Sequence, residues 1–232
     1  MKLKNKNWSK YLFEFSSIFI AVISAFTLSN WKDNSKSHNA ENRILTEIYH
    51  GLEKDLKDVI SNESGHKAGI IAAGYFTDIL AKKPVCKDSV LFHYFNLTRD
   101  FVSIQNTSGY ETLKSRGLEL IENDSLRTNI ISLYEYDYNI LRKLEEEYFE
   151  LQFHENYFKE INQSISSNFE FDNNKKFIGI SLPLKISEKD EKVLLTYLWK
   201  IQVNRNFILQ FYSDVKKKIE KTRGDIEKEI KR

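Results

Sequence analysis

The sequence predicts an all-α protein: an N-terminal transmembrane helix followed by an elongated antiparallel helical bundle with a small β-hairpin insertion. Three observations predict it. Eight glycines and two prolines in 232 residues leave few turn-makers, which disfavours a sandwich of short strands and favours long helices. One stretch near the N-terminus is apolar apart from a single acid, and downstream the apolar residues recur at three-and-four spacing. With 41% hydrophobic and 29% charged side chains, the chain has the composition of a folded protein.

In chain order, residues 1–10 hold Lys2, Lys4, Lys6 and Lys10 and no acid. Tyr11 to Trp31 then carries one charge, Glu14, and at about 1.5 Å per residue it is long enough to cross a bilayer core of about 30 Å. Trp8, Tyr11 and Trp31 stand at its edges, where amphipathic rings favour the interface. The preceding lysines put the N-terminus in the cytoplasm by the positive-inside rule and residues 32–232 outside, although Lys32, Lys36 and Arg43 weaken the bias. Two other readings compete. A cleaved signal peptide needs a shorter apolar region and a small-x-small site, of which Thr27-Leu28-Ser29 is a faint example. A buried helix of a soluble protein does not account for the clustered lysines and flanking tryptophans. Within the span, Ser17, Ala21, Ala25 and Ser29 recur every four residues and form a small-residue ridge, with Glu14 on nearly the same face. These five residues are the candidate helix-association face.

Beyond the span, Ile44, Leu45, Ile48, Leu52, Leu56, Val59 and Ile60 begin a helical stripe that runs through Ile79 and Leu80 to a stop at Lys82-Lys83-Pro84. Gly65, Gly69, Ala72 and Ala73 thin one face of it, which suits close packing against a neighbouring helix better than a ligand groove. Shorter helices are expected over Ser89–Leu97 and Ser108–Arg116, the second stopped by Gly117, with Asn123 as the next N-cap. Leu126, Ile130, Leu133, Tyr134, Tyr138, Leu141, Leu144, Tyr148 and Leu151 predict one long helix to about Ile165, with Tyr134, Tyr136 and Tyr138 as core rather than a ring-lined pocket. Asn168 to Phe171 and Phe177 to Ile180, around a polar turn, read as a β-hairpin. Ser187 with Asp190 then caps a helix that runs to the C-terminus, its second face read as solvated, alternating charges. Three helices of roughly 40 residues, each about 60 Å long, pack most economically as an antiparallel bundle.

Residues 32–232 carry 31 basic and 32 acidic groups, a balance that argues against a nucleic-acid partner. The single cysteine, Cys86, excludes an internal disulfide and reads as a small buried side chain.

The span ends Ser29-Asn30-Trp31, and the middle of the chain reads Tyr110-Glu-Thr-Leu-Lys-Ser-Arg-Gly117-Leu-Glu-Leu-Ile121-Glu-Asn-Asp-Ser-Leu126. In these residues the chain resembles a domain-of-unknown-function family of single-pass envelope proteins from Gram-negative bacteria, which open with a membrane helix ending in Asn-Trp. Relatives have a glycine before the span's glutamate, where this chain has Phe13, and glycines where it has serines and alanines. The resemblance implies inner-membrane anchoring and a periplasmic domain, and supplies no catalytic residue. Physically the shared stretch is a helix, a glycine stop, two apolar anchors and a new cap.

No nucleotide-binding glycine loop, serine-hydrolase elbow or zincin motif occurs. Two Glu-x-x-His pairs, Glu47 with His50 and Glu63 with His66, share one helix, whereas a di-metal bundle draws such pairs from separate helices. The acidic run Glu145-Glu146-Glu147, and Glu150 one turn before His154, read as solvated. The expectation is therefore a non-enzymatic protein without metal or cofactor. Its partners would be the lipid bilayer and either a second copy of itself or another envelope protein. The alternative is an extracytoplasmic helical module that senses a small ligand between its helices.

Overall fold

A computed structural model describes residues 8–232; the basic stretch with Lys2, Lys4 and Lys6 lies outside the described residues. Over the described residues the chain is all-α with one two-stranded antiparallel hairpin. Helix α1, Trp8–Leu80, is a single element of 73 residues, about 110 Å long by the helical rise. Span and first body helix are therefore continuous, with residues 32–39 helical between them. It is the one helix among the described residues long and apolar enough to cross a membrane. Every described side chain from Lys10 to Asn39 is exposed, and burial begins at Glu41.

Beyond that point α1 is the first of four antiparallel rods. At its far end the chain turns at Lys82 and returns through α2, Val90–Leu97, an extended strap over residues 98–107, and α3, Ser108–Arg116. The descent is marked by contacts along α1: Ile104 N–H on Asp58, Asn106 N–H on Asp55, and Gly109 on Ile48. Gly117 ends α3 at φ 103°, where only glycine sits without strain, and a corner follows. Glu122 N–H binds Glu41, so this corner lies where the body begins. Asn123 caps α4, Asp124–Ser132, as its spacing predicts.

The third rod corrects the sequence reading, because no single helix runs to Ile165. A π-turn, Leu133–Asp137, joins α4 to α5, Tyr138–Glu147; the helix then breaks, and α6, Phe153–Ile165, follows. Three acids at the C-terminal end of α5 oppose the helix dipole there, with no basic residue in the last turn to offset them. The Asp100 carboxylate of the strap accepts the N–H groups of Phe153 and His154 and starts the new helix. That cap is some fifty residues away in sequence, out of reach of any local pattern. Tyr134 and Tyr138 are buried, but Tyr136 is exposed and not core.

The hairpin pairs β1, Phe169–Phe171, with β2, Phe177–Ile180. Ser187 then caps α7, Glu188–Ile230, which runs back along α1: Arg205 meets His66, Arg223 lies over the Tyr49 ring, and Glu229 binds Asn123 at the corner. Ile44, Leu45, Ile48 and Leu52 of α1 and Ile201, Ile208, Tyr212 and Ile219 of α7 are almost wholly removed from water, and the two helices pack against each other in the core. Cys86 is exposed, against expectation, because it lies in the turn beyond α1 where no second layer covers it.

Candidate functional site

Among the described residues, three places along α1 and α7 stand out, and the first is a polar spine inside the bundle. Arg205 on α7 is wholly buried. It donates to the Leu97 carbonyl at 3.0 Å, the Arg99 carbonyl at 2.9 Å and His66 Nδ1 at 3.0 Å, and its guanidinium lies 4.0 Å from the Phe153 ring centroid. The two carbonyls belong to the end of α2 and the residues after it, where a cation offsets the helix dipole. Burial pushes the arginine down to about 9, which leaves it cationic at neutral pH, and the Asp100 charge supports the cation. A guanidinium only donates, so His66 Nδ1 must carry its lone pair and the ring is neutral with its proton on Nε2. Burial, followed by the Arg205 charge, holds His66 down to about 3.

Space for this arginine comes from Gly69, where a Cβ would fall 2.2 Å from Arg205 Nε; at Gly65 it would fall 2.2 Å from the Phe101 ring. The thinned face of α1 is thus a packing surface, occupied by an α7 side chain and by the strap.

Next to the arginine, three acids hold the strap in place of a partner strand. Glu145 accepts Ser103 N–H at 2.9 Å, Ser103 Oγ at 2.6 Å and the Tyr212 hydroxyl. Asp55 accepts Asn106 N–H at 2.8 Å and the Tyr138 hydroxyl at 2.8 Å, and Asp58 accepts Ile104 N–H at 3.0 Å. Burial raises the pKa of Asp55 and Glu145 although each of these bonds favours the anion. Glu145 is therefore no solvated member of an acidic run, which corrects the sequence reading. Glu150 and His154 fall on either side of the helix break, and Glu150 instead binds Lys200 and the Tyr157 hydroxyl.

The two Glu-x-x-His pairs part company. His50 is exposed beside Glu53, while His66 points into the core at Arg205. Among the described residues no group of three or more His, Cys, Asp or Glu side chains is placed to hold a metal ion.

The second place is the span. Glu14, Ser17, Ala21, Ala25 and Ser29 are all exposed, and Ser17 Oγ donates to the Glu14 carbonyl at 2.9 Å. Phe13, Phe15, Ile18, Phe19, Ile20, Val22 and Ile23 are exposed around the rest of the circumference, so nothing in the described chain covers any face of this segment.

The third is the outward face of α7. Leu195, Trp199, Val203 and Phe207 follow one another at four-residue spacing, opposite the stripe formed by Leu198, Ile201, Arg205 and Ile208. Trp199 is 62% exposed. Their neighbours on this face between Lys192 and Asp214 are Thr196, Gln202, Asn206, Gln210 and Ser213. Lys200, at its edge, is engaged by Glu150. The middle of the face is uncharged and partly apolar, not the alternation of charges expected from the sequence.

Comparison of the chain with known protein families, curated proteins and solved structures returns no match.

Proposed function

We propose that this is a membrane-anchored, non-catalytic interaction protein of the cell envelope, in which the span of α1 holds a helical body that docks on a protein partner. The observation that carries the reading is the outward face of α7. Soluble helices place apolar residues toward the core, and a row of them on the opposite side, led by a tryptophan, is the composition of an interface centre. The buried acids and Arg205 are each bound to backbone groups or tyrosine hydroxyls, which supports a structural duty over catalysis. The side chains that α1 and α7 turn into the core are almost wholly removed from water, which favours docking over a ligand held between helices. The lysine bias before the span supports a cytoplasmic N-terminus and a periplasmic body in the inner membrane. The partner is another envelope protein or a second copy of this chain.

A photo-crosslinking residue at Val203 in the full chain, in native membranes, tests the docking face. A discrete adduct is expected from Val203, absent from exposed Lys217, and lost when Trp199→Glu is added. Equal yields from Val203 and Lys217, or an adduct indifferent to Trp199→Glu, would contradict the reading.

A further inference from the structure

At the end of the body farthest from the span, the turn after α1 and the segment after β2 enclose an open cavity of about 550 Å³. Its floor is Ile79, Val85 and Leu182 with two prolines, and its rim is Lys82, Lys83 and Lys87. The volume lies within the range of about 300–1,000 Å³ that holds small organic ligands. The end of α1 directs carbonyl oxygens toward this region, which by itself would repel an anion. Those of Thr77, Asp78 and Ile79 are already taken by the N–H groups of Ala81, Lys83 and Lys82. Of the three lysines, only Lys83 has an acidic partner among the described residues, Asp78 at 2.8 Å. Lys82 and Lys87, both lining the cavity, therefore have no acidic partner among the described residues.

We infer that this cavity binds a free single-chain anionic amphiphile, its apolar tail against Ile79, Val85 and Leu182 and its carboxylate or phosphate head on Lys82 and Lys87. A floor of aliphatic side chains and prolines offers no side-chain hydrogen bond, so the enclosed part of the ligand carries no polar group needing one. The lysines set the sign of the head. The 49 residues of α1 from Lys32 to Leu80 place the cavity about 75 Å from the end of the span, so lipids of the anchoring bilayer do not reach it. This site is separate from the α7 face, and its occupancy does not depend on the docking reading.

The test uses the full chain in nanodiscs of zwitterionic lipid, irradiated with a diazirine-bearing long-chain fatty acid, with labelled peptides mapped by mass spectrometry. Label is expected on peptides containing Ile79 to Lys87 or Leu182. It should fall about ten-fold, the equivalent of 1.4 kcal/mol, in the double variant Lys82→Glu, Lys87→Glu. The methyl ester of the probe should label this end as weakly as that variant does, and Lys217→Glu should change nothing. Label confined to residues 11–31, or label at the cavity unaffected by charge reversal and by esterification, would overturn the proposal. So would cavity labelling by a diazirine diacyl phosphatidic acid in separate vesicles but not by the free acid, because the source would then be an apposed bilayer.

Discussion

The two parts of α1 share one backbone and live by opposite rules. From Lys10 to Asn39 every described side chain is exposed, and phenylalanines, isoleucines and valines occupy all sides of the apolar stretch. From Glu41 to Leu80 one stripe is buried against α2, the strap, α3 and α7, while Arg43, Glu47, His50 and Lys54 face water. A helix apolar all round belongs in lipid or in the centre of a large core, whereas one with a single apolar stripe belongs on the side of a bundle. The boundary between the uncovered apolar segment and the body is thus a change in side-chain distribution, and the backbone passes through it unbroken. Stability of the body should depend on α1 beyond Glu41 and be indifferent to α1 before Asn39.

The largest effect expected from that contrast is at Gly69. Its added Cβ meets a guanidinium that is held on three sides and has no room to swing away, so Gly69→Ala should cost about 3 kcal/mol. In a domain of this size that lowers the melting temperature by on the order of 10 °C. Gly74→Ala, on the same helix with nothing within 4 Å of the new methyl, should raise stability by up to about 1 kcal/mol. Equal shifts for the two variants, measured by thermal melts of the full chain in detergent, would mean that Arg205 is free to move.

The next effect depends on pH. His66 titrates near 3 in the folded chain and near 6.5 when unfolded, so the unfolded state binds more protons between these values. Its contribution is complete above about pH 6.5 and drains as the pH falls toward 3. Asp55 and Glu145 act in the opposite sense, because burial raises them and the folded state gains protons as the pH falls through their raised values. Comparing the parent with His66→Gln isolates the histidine. The parent should lose about 2 kcal/mol more than the variant between pH 7 and pH 5, read from denaturant midpoints. Parallel losses would contradict a neutral, buried His66.

A smaller effect is expected at the corner. Gly117→Val forces a β-branched residue to φ 103° and brings its Cβ within 2.6 Å of Glu119 Oε1, so it should cost about 1 kcal/mol or somewhat more, while Lys217→Ala, on the exposed side of α7, is silent. Comparable melting temperatures for the two would remove the corner from the account. Smallest is the effect of filling the ridge. Ala21→Leu with Ala25→Leu should leave the body's melting temperature unchanged, since neither residue touches the body. If the ridge is a contact between copies, crosslinked oligomers in membranes should disappear in this variant. A shift in the melting temperature would show that span and body are coupled.

The elements most legible in the sequence carry their signal locally. The apolar N-terminal helix, the stop before Pro84, Gly117, the Asn123 cap, the hairpin and the Ser187 cap all match. The break in the third rod is not legible in the sequence, because the helical periodicity continues through it and Asp100 stabilises it from a distant part of the chain. The polar spine had a signal that apolar stripes alone conceal. Asp55 sits between Leu52 and Val59, Glu145 one turn after Leu141, and Arg205 between Ile201 and Ile208, each a charged residue at a core position of its helix. The strap itself has no such pattern, since its N–H groups are satisfied by carboxylates on other rods and not by a neighbouring strand. The α7 face was masked by the charges that flank it at either end.

The claim that one helix passes from lipid into a bundle is tested most directly by spin labels placed singly along α1 of the full chain in bilayer vesicles, in a Cys86→Ser background. Collision with oxygen reports lipid, and collision with a water-soluble nickel chelate reports solvent. Labels at Phe13, Ile18, Phe19, Val22, Ile23 and Phe26 should favour oxygen whatever side of the helix they occupy, and labels at Arg43, Glu47, His50 and Lys54 should favour nickel. Nickel access at Ile18 to Ile23 equal to that at Lys54 would contradict the account, because that stretch of α1 would then lie in water.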